Sequence, residues 1–432
     1  MTRRLAPVWA AVAATVVVGL ALVRAETATA ASSIRYGVQD DAWLEHGSGT
    51  LSARLTELER LGVEVVRYTV RWDQVATRRP RLPRDPDDDA YDWRSTDRVL
   101  EGLRRRGIAP LLTLYGAPGW ANGGRPPNFA PASSAAFASF ARAAATRYSW
   151  VKLWTIWNEP NQAIWLRPTS ARTYVRTLLN PAYAQIHAVV AGAQVGGGVT
   201  AARGGSSGVA PVPWIRAMGA LGAKLDAYAH HPYPGHPRTE TPWGPACARC
   251  STITMADLER LESEVRRNFG PKRIWLTEYG YQTNPPDLLL GVSPATQARH
   301  VASATRRAYL APGVDILLFF LVRDDTSSDG WQSGLLTANG KRKPAYTAFR
   351  LPLTQAARKG STVAVWGQIR AGSGRRPFRL RRYENGSWNW VGGTHWTDTR
   401  GVFSISVRAP RGSMLQVWSA GDRSYSLALR VT

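Results

Sequence analysis

Two glutamates in this chain each follow an apolar run that reads as a β-strand. The first lies in Val151-Lys-Leu-Trp-Thr-Ile-Trp157-Asn158-Glu159-Pro160-Asn161, the second in Lys272-Arg-Ile-Trp-Leu-Thr-Glu278-Tyr-Gly280. β-Branched and aromatic residues favour extended structure, and the Pro or Gly that follows marks a turn. A carboxylate delivered at the C-terminal end of a strand is how a (β/α)8 barrel positions reactive groups. Two carboxyl groups, one protonated and one ionised, are what glycosidic cleavage requires. The pair is separated by 119 residues, so only a fold can make them neighbours.

The spacing of apolar residues supplies such a fold. Strands are predicted at Ile34–Val38, Val63–Val70, Ile108–Tyr115, Val151–Trp157, Ala193–Gly197, Leu225–His231, Arg273–Thr277 and Val314–Phe320. Helical periodicity falls between them, over Leu51–Leu61, Ser134–Tyr148, Ser170–Val190, Met255–Asn268 and Pro294–Leu310 among others. Eight strands alternating with helices over residues 33–350 predict an α/β fold, a (β/α)8 TIM barrel. From residue 361 short alternating strands separated by Gly, Asn and Asp turns predict a small all-β sandwich over 361–432. Its Trp366, Trp388, Trp390 and Trp396 are candidates for carbohydrate contact or for packing.

Residues 1–30 read as a signal peptide. Arg3-Arg4 forms a basic start, Ala6–Val23 is uncharged and apolar, and Ala28-Thr-Ala30 is a cleavage pattern. An uncleaved anchor is the alternative, and a secreted or cell-surface location is expected either way. In an exported protein Cys247 and Cys250 are expected to form a small disulfide. The formal charge of +24 rests on 55 basic residues of which six are Lys, with the arginines scattered along the chain. That pattern argues against nucleic acid as the partner and favours an acidic surface or polysaccharide. No metal or cofactor is expected, because neither a His-x-His nor a clustered carboxylate ligand set stands at the strand ends.

Residues 33–350 resemble a retaining glycoside hydrolase of clan A. The landmarks Trp157-Asn158-Glu159-Pro160-Asn161, Arg67, Tyr91-Asp-Trp93 and Pro118-Gly-Trp120 are most similar to family 39 and related bacterial endoglycosidases. The resemblance implies Glu159 as acid/base, its pKa raised by burial and by the second carboxylate, and Glu278 as nucleophile. It implies that Asn158 hydrogen-bonds the substrate 2-hydroxyl or the nucleophile. His231 and Tyr233, in His-His-Pro-Tyr, match the clan's His-x-Tyr, whose tyrosine orients the nucleophile. Arg67 would keep Glu278 ionised, or serve only as a structural ion-pair partner; His230 reads as a packed histidine. Trp120 and Trp165 are candidates to line a sugar subsite or to pack their loops.

One departure concerns the eighth strand, where many clan members carry a Trp that floors the subsite of the cleaved sugar. Here the sequence is Phe319-Phe-Leu-Val-Arg323-Asp-Asp325. Trp331 could fill that place, and Arg323 could recognise an acidic sugar or hold its loop through Asp324 or Asp325. The resulting expectation is a secreted retaining β-glycosidase acting on an extracellular or cell-envelope polysaccharide. A noncatalytic carbohydrate-binding protein and a wall-remodelling transglycosidase are the alternatives on the same scaffold.

Overall fold

The computed structural model describes residues 34–247 and 249–432. The predicted signal segment lies outside the described residues. Among them, no helix is long and apolar enough to cross a membrane. Eight parallel strands close into a barrel: β1 (Arg35–Gln39), β2 (Val65–Arg71), β3 (Ala109–Tyr115), β4 (Leu153–Ile156), β5 (Gln194–Ala201), β6 (Ala227–His231), β7 (Arg273–Leu276) and β8 (Val314–Phe320). Closure is made by β1 on β8, from Arg35 opposite Ile316 to Gln39 opposite Phe320.

Side chains alternate along a strand, and here the alternation separates two cores. Val65, Leu111, Leu153, Ala227, Ala229, Trp275, Ile316 and Leu318 pack together inside the barrel. Residues of opposite parity, such as Val66, Leu112, Trp154, Tyr228 and Leu317, pack outward with the helices. Trp275 is large for a barrel interior, and β5 makes room with Gly196, where an added Cβ would lie 2.8 Å from the indole.

Two expectations need correction. The helix predicted over Ser170–Val190 runs unbroken from Ala171 to Val189 but is not α-helical throughout: it widens into a π-helical turn at Tyr174–Leu179. Pro181 has no backbone N–H to continue the i→i−4 ladder, and the wider turn sits just before it. The sandwich begins at Leu353 rather than residue 361. Its first strand, β9 (Leu353–Lys359), carries Arg and Lys at its outer end, which hid the strand pattern.

The sandwich joins one sheet in the order β13 (Val402–Arg408), β10 (Thr362–Gln368), β9 to a second built on β12 (Ser387–Trp396), β11 (Pro377–Glu384), β14 (Met414–Ser419) and β15 (Ser424–Tyr425), with β16 (Leu429–Arg430) also on β14. Val363, Val365, Phe378, Leu380, Phe403, Leu415 and Val417 fill the space between the sheets. The first sheet meets the barrel. Trp366 lies 5.4 Å from Tyr309, and buried Arg370 stacks on Tyr36 and Phe349 while donating to Thr305 Oγ1 at 2.9 Å. Trp366 is therefore an interface residue and makes no carbohydrate surface. Cys247 and Cys250 are disulfide-bonded.

Candidate active site

Following the inward-facing positions of the strands leads from the apolar interior to the site. Two residues beyond Val65, Leu111, Leu153, Ala229 and Leu318 stand Arg67, Thr113, Thr155, His231 and Phe320, the next inward layer toward the C-terminal mouth. The apolar layer below excludes water, so each polar group at the mouth must find a protein partner.

Arg67 is fully buried and meets that demand with every arm of its guanidinium. Nε donates to Thr113 Oγ1 at 2.8 Å, Nη1 to Gln39 Oε1 at 2.5 Å and to Glu278 Oε1, and Nη2 to Asn158 Oδ1 at 2.8 Å. The planar fork ties groups from four other strands or their ends, β1, β3, β4 and β7, into one geometry. Asn158 is fixed by its carbonyl, which leaves its amide N–H groups for the cavity. Tyr233 donates to the other oxygen of Glu278 at 3.1 Å. It is placed by a tight turn over Pro232, closed by a bond from Tyr233 N to His231 O at 2.9 Å. Beyond Glu278 the chain passes close to β8: a Cβ on Gly280 would lie 2.6 Å from Phe320 O.

Arg67→Met is expected to lose about 3–5 kcal/mol of stability, because it strands a buried carboxylate. Arg67→Lys restores charge without the fork and should recover only part of it. Urea unfolding of both variants checks this; equal stability to the parent would show that the pair contributes nothing.

Glu159 lies past β4, where positive φ values at Trp157 (69°) and Glu159 (35°) turn the chain over the mouth. Such values are costly for non-glycine residues and persist where surroundings enforce them. Here the Trp157 indole donates to Trp165 O at 2.7 Å, and its backbone N–H to Leu114 O at 2.8 Å. Burial raises the Glu159 pKa to about 7, against the smaller opposing effects of Arg67 and a hydrogen bond with Trp165. Burial, rather than the neighbouring carboxylate, is the dominant cause.

His231 connects the two glutamates. Its Nδ1 is 2.9 Å from Glu159 Oε1 and 3.7 Å from Glu278 Oε2, and its Nε2 faces Arg67 Nη1 at 3.4 Å. Arginine can only donate, so Nε2 accepts and Nδ1 carries the hydrogen that Glu159 receives. Burial lowers the His231 pKa to about 3, so the ring stays neutral and does not compete with Glu159 for its proton. His230 is a packed histidine, bonded to Thr200 Oγ1 at 2.9 Å and Ile253 O at 3.0 Å.

Oxygens of Glu159 and Glu278 and a nitrogen of His231 all lie within 4.8 Å of one another. A clustered donor set therefore does stand at the strand ends, against expectation. It suits a metal poorly, because Arg67 already occupies Glu278 and both His231 nitrogens are committed. A divalent cation would have to sit beside a fixed guanidinium charge.

The glutamates open into a cavity of about 710 Å³. Trp165, Tyr115, Phe320 and Trp331 are its aromatic walls, and Asp41, Arg71, Arg203 and Gln282 are among its polar ones. Trp331 stands edge-on to Phe320 at 5.4 Å and beside Tyr233 at 5.3 Å. Phe320, at the end of β8, and Trp331, in the loop after it, are thus the aromatics that this part of the chain brings to the cavity. Two predicted contacts are not in this cavity. The Trp120 indole donates to Ala76 O at 2.8 Å and packs edge-on against Trp72, so it holds its loop. Arg323 turns to Ser48 Oγ at 3.2 Å, and Asp324 pairs with Lys343 at 2.9 Å instead. Sequence reasoning missed Thr69, Arg71 and Tyr115, although they continue the period-two pattern from Arg67 and Thr113. Asp41 opens the short helix Asp41–His46 and Arg203 sits on a loop, so neither carries such a signal.

The two tryptophans should separate in kinetics. Trp165→Ala is expected to raise KM about tenfold through a lost stacking surface. Trp120→Phe should leave KM unchanged and cost about 1 kcal/mol of stability through its lost hydrogen bond. Steady-state kinetics beside thermal melts distinguish them; a KM change in Trp120→Phe would return it to the site.

No protein-family model matches the chain, and no curated protein sequence matches it. Solved structures do. One is a family 39 glycoside hydrolase from the gut symbiont Bacteroides cellulosilyticus WH2, 17% identical, with a TM-score of 0.58 over 86% of this chain and 79% of that one. Another is a glucosidase from Croceicoccus marinus, 13% identical, with a TM-score of 0.58 over 89% of this chain and 95% of that one. At these identities the likeness is one of fold: the chain is built on the same (β/α)8 barrel as these glycosidases.

Proposed function

We propose that the chain is a retaining β-glycosidase that hydrolyses O-glycosidic bonds in an extracellular or cell-envelope polysaccharide. The observation that carries this reading is the pair Glu159 and Glu278, with carboxyl oxygens within 4.8 Å across the mouth of the barrel. That approach fits the roughly 5 Å spacing of retaining enzymes better than the roughly 6.5–9.5 Å of inverting ones. Their environments differ as the reaction demands. Burial favours the protonated form of Glu159, while Glu278 receives Arg67 on one oxygen and Tyr233 on the other.

In the first step a Glu278 oxygen attacks the anomeric carbon as its bond to the leaving oxygen breaks. Glu159 gives that oxygen its proton. In the second step Glu159, now a carboxylate, takes a proton from water as the water attacks the same carbon, and Glu278 is released. Asn158, fixed through Arg67, is placed to donate to a sugar hydroxyl during both steps. Export rests on the basic, apolar and Ala-Thr-Ala pattern of residues 1–30.

The test is to follow reducing ends released from a panel of neutral and uronic-acid polysaccharides, and to read the anomer first formed by proton NMR. Release with retained configuration is expected. Release with inversion, or none from any polymer or aryl glycoside, would overturn the reading. Products formed only when a sugar acceptor is supplied would reassign the chain as a transglycosidase.

A further inference from the structure

The outer face of the second sandwich sheet is unlike the rest of the surface. On β11 the residues Phe378 and Leu380 point into the sandwich, so Arg379, Arg381 and Tyr383 point out. Across the ladder β12 presents Trp388 and Trp390, and on the other side β14 and β15 present Trp418 and Tyr425. Trp390, Tyr383 and Tyr425 are 42%, 44% and 37% exposed, whereas aromatic side chains of this size ordinarily seek cover.

The rings and guanidinium groups are interleaved. Arg379 lies 4.1 Å from the centre of Trp390. Arg381 is held between Tyr425 at 3.7 Å and Trp388 at 4.7 Å, and Gln416 Oε1 accepts from its Nε at 2.9 Å. Neither arginine has a carboxylate partner within ion-pair distance among the described residues. Their positions are fixed by stacking and by a neutral amide, which leaves charge directed at solvent.

The surrounding domain reinforces that charge. Residues 353–432 hold thirteen arginines and lysines against three carboxylates. The sandwich meets the barrel mainly through its other sheet; from the second, the turn after β14 sends Asp422 to Arg350 at 2.7 Å, while the face carrying Tyr383, Trp390 and Tyr425 stays exposed. The sandwich's contacts with the barrel, at Ile34, Tyr36, Tyr309 and Arg350, involve the start of β1 and the C-terminal ends of the helices Pro294–Tyr309 and Pro344–Arg350. They lie at the opposite end of the barrel from Glu159 and Glu278.

We propose that this face is a second, noncatalytic binding site for a carboxylated polysaccharide. The apolar C–H faces of sugar rings would stack on Trp388, Trp390 and Tyr425, and uronate carboxylates would meet Arg379 and Arg381. Stacking supplies a flat, sequence-tolerant platform, and the guanidinium fork matches a carboxylate in two hydrogen bonds. The choice of a glycan over single-stranded nucleic acid, which uses similar chemistry, rests on the glycosidase reading of the barrel. The site would keep the enzyme on its polymer while the distant cavity acts on single chains.

Affinity electrophoresis of the full chain carrying Glu278→Gln tests this without degrading the matrix. The matrices are polygalacturonate, neutral dextran and oligo(dT), at low and high salt. Retardation by polygalacturonate alone, weakening as salt rises, is expected. Trp390→Ala and Arg379→Gln, each added separately, should weaken it at least about tenfold, the size of a lost stacking or charged contact. Both side chains lie outside the sandwich core, and melts confirm folding. In the Glu278-intact background both variants should cleave a small aryl glycoside at the parent rate, which separates this site from the catalytic one. No retardation by polygalacturonate, undiminished retardation of both variants, or stronger retardation by oligo(dT) would overturn the proposal. Absence of glycoside cleavage by the parent would instead count against the reading of the barrel.

Discussion

Glu278→Gln is expected to lower kcat/KM by ~10⁴-fold or more while leaving the protein folded. The amide cannot form the ester intermediate. The substitution is nearly isosteric, and its hydrogen bonds can be kept. The amide carbonyl can accept from Arg67, and its N–H group can donate to the Tyr233 hydroxyl, which turns from donor to acceptor. Stability should therefore change little, unlike in Arg67→Met, where a buried carboxylate is left unpaired. A second variant, Glu278→Gly, makes space for azide, and added azide should restore turnover of an activated aryl glycoside with inverted configuration. Activity of Glu278→Gln near the parent level would remove the nucleophile from the mechanism. A melt collapsed by many degrees would make its loss of activity uninformative and leave the azide result to decide.

The sequence made the site legible wherever a strand carried it. Glu159, His231 and Glu278 sit at or just past the ends of period-two runs and Arg67 within one, and the runs themselves tell which parity faces inward. Trp275 shows the same logic from below, since a Trp among inward positions needs the Gly196 opposite it. What could not be read was the direction of side chains on loops. Trp120 and Trp165 both follow strands within motif-like sequence, yet one caps its loop through Ala76 and the other walls the cavity. Arg323 follows the last strand as Arg67 belongs to the second, but Asp40 Oδ2 accepts the backbone N–H of Arg323 and its side chain leaves for Ser48. The sandwich boundary was hidden for a related reason. Strand β9 is half exposed and carries its charge outward, so its burial pattern is weak until the sheet around it is known.

Glu159→Gln should remove the basic limb of the pH profile and, at the same time, stabilise the protein at pH 8. Glu159 acts as an acid first, so activity of the parent should fall as pH rises through about 7, where burial has placed its pKa. The variant has no proton to lose there. It should show a flat profile, with kcat/KM lowered by about 10²–10⁴ for glycosides with poor leaving groups and far less for activated ones. The stability argument runs in the opposite sense. The folded state holds the Glu159 proton up to about pH 7, whereas the unfolded chain releases it near the ordinary 4.5. Between these values the folded state binds more protons, so stability falls as pH rises, by on the order of 3 kcal/mol once pH exceeds 7. Glutamine can still accept the Nδ1 hydrogen of His231 and carries no charge to bury. Urea unfolding of parent and variant at pH 5 and pH 8 should therefore diverge only at the higher value. Parallel curves at both would mean that Glu159 ionises without strain and that another group sets the basic limb. Divergence would show that the cavity holds its acid protonated at a cost to the fold, which a scaffold serving only to bind sugar has no reason to bear.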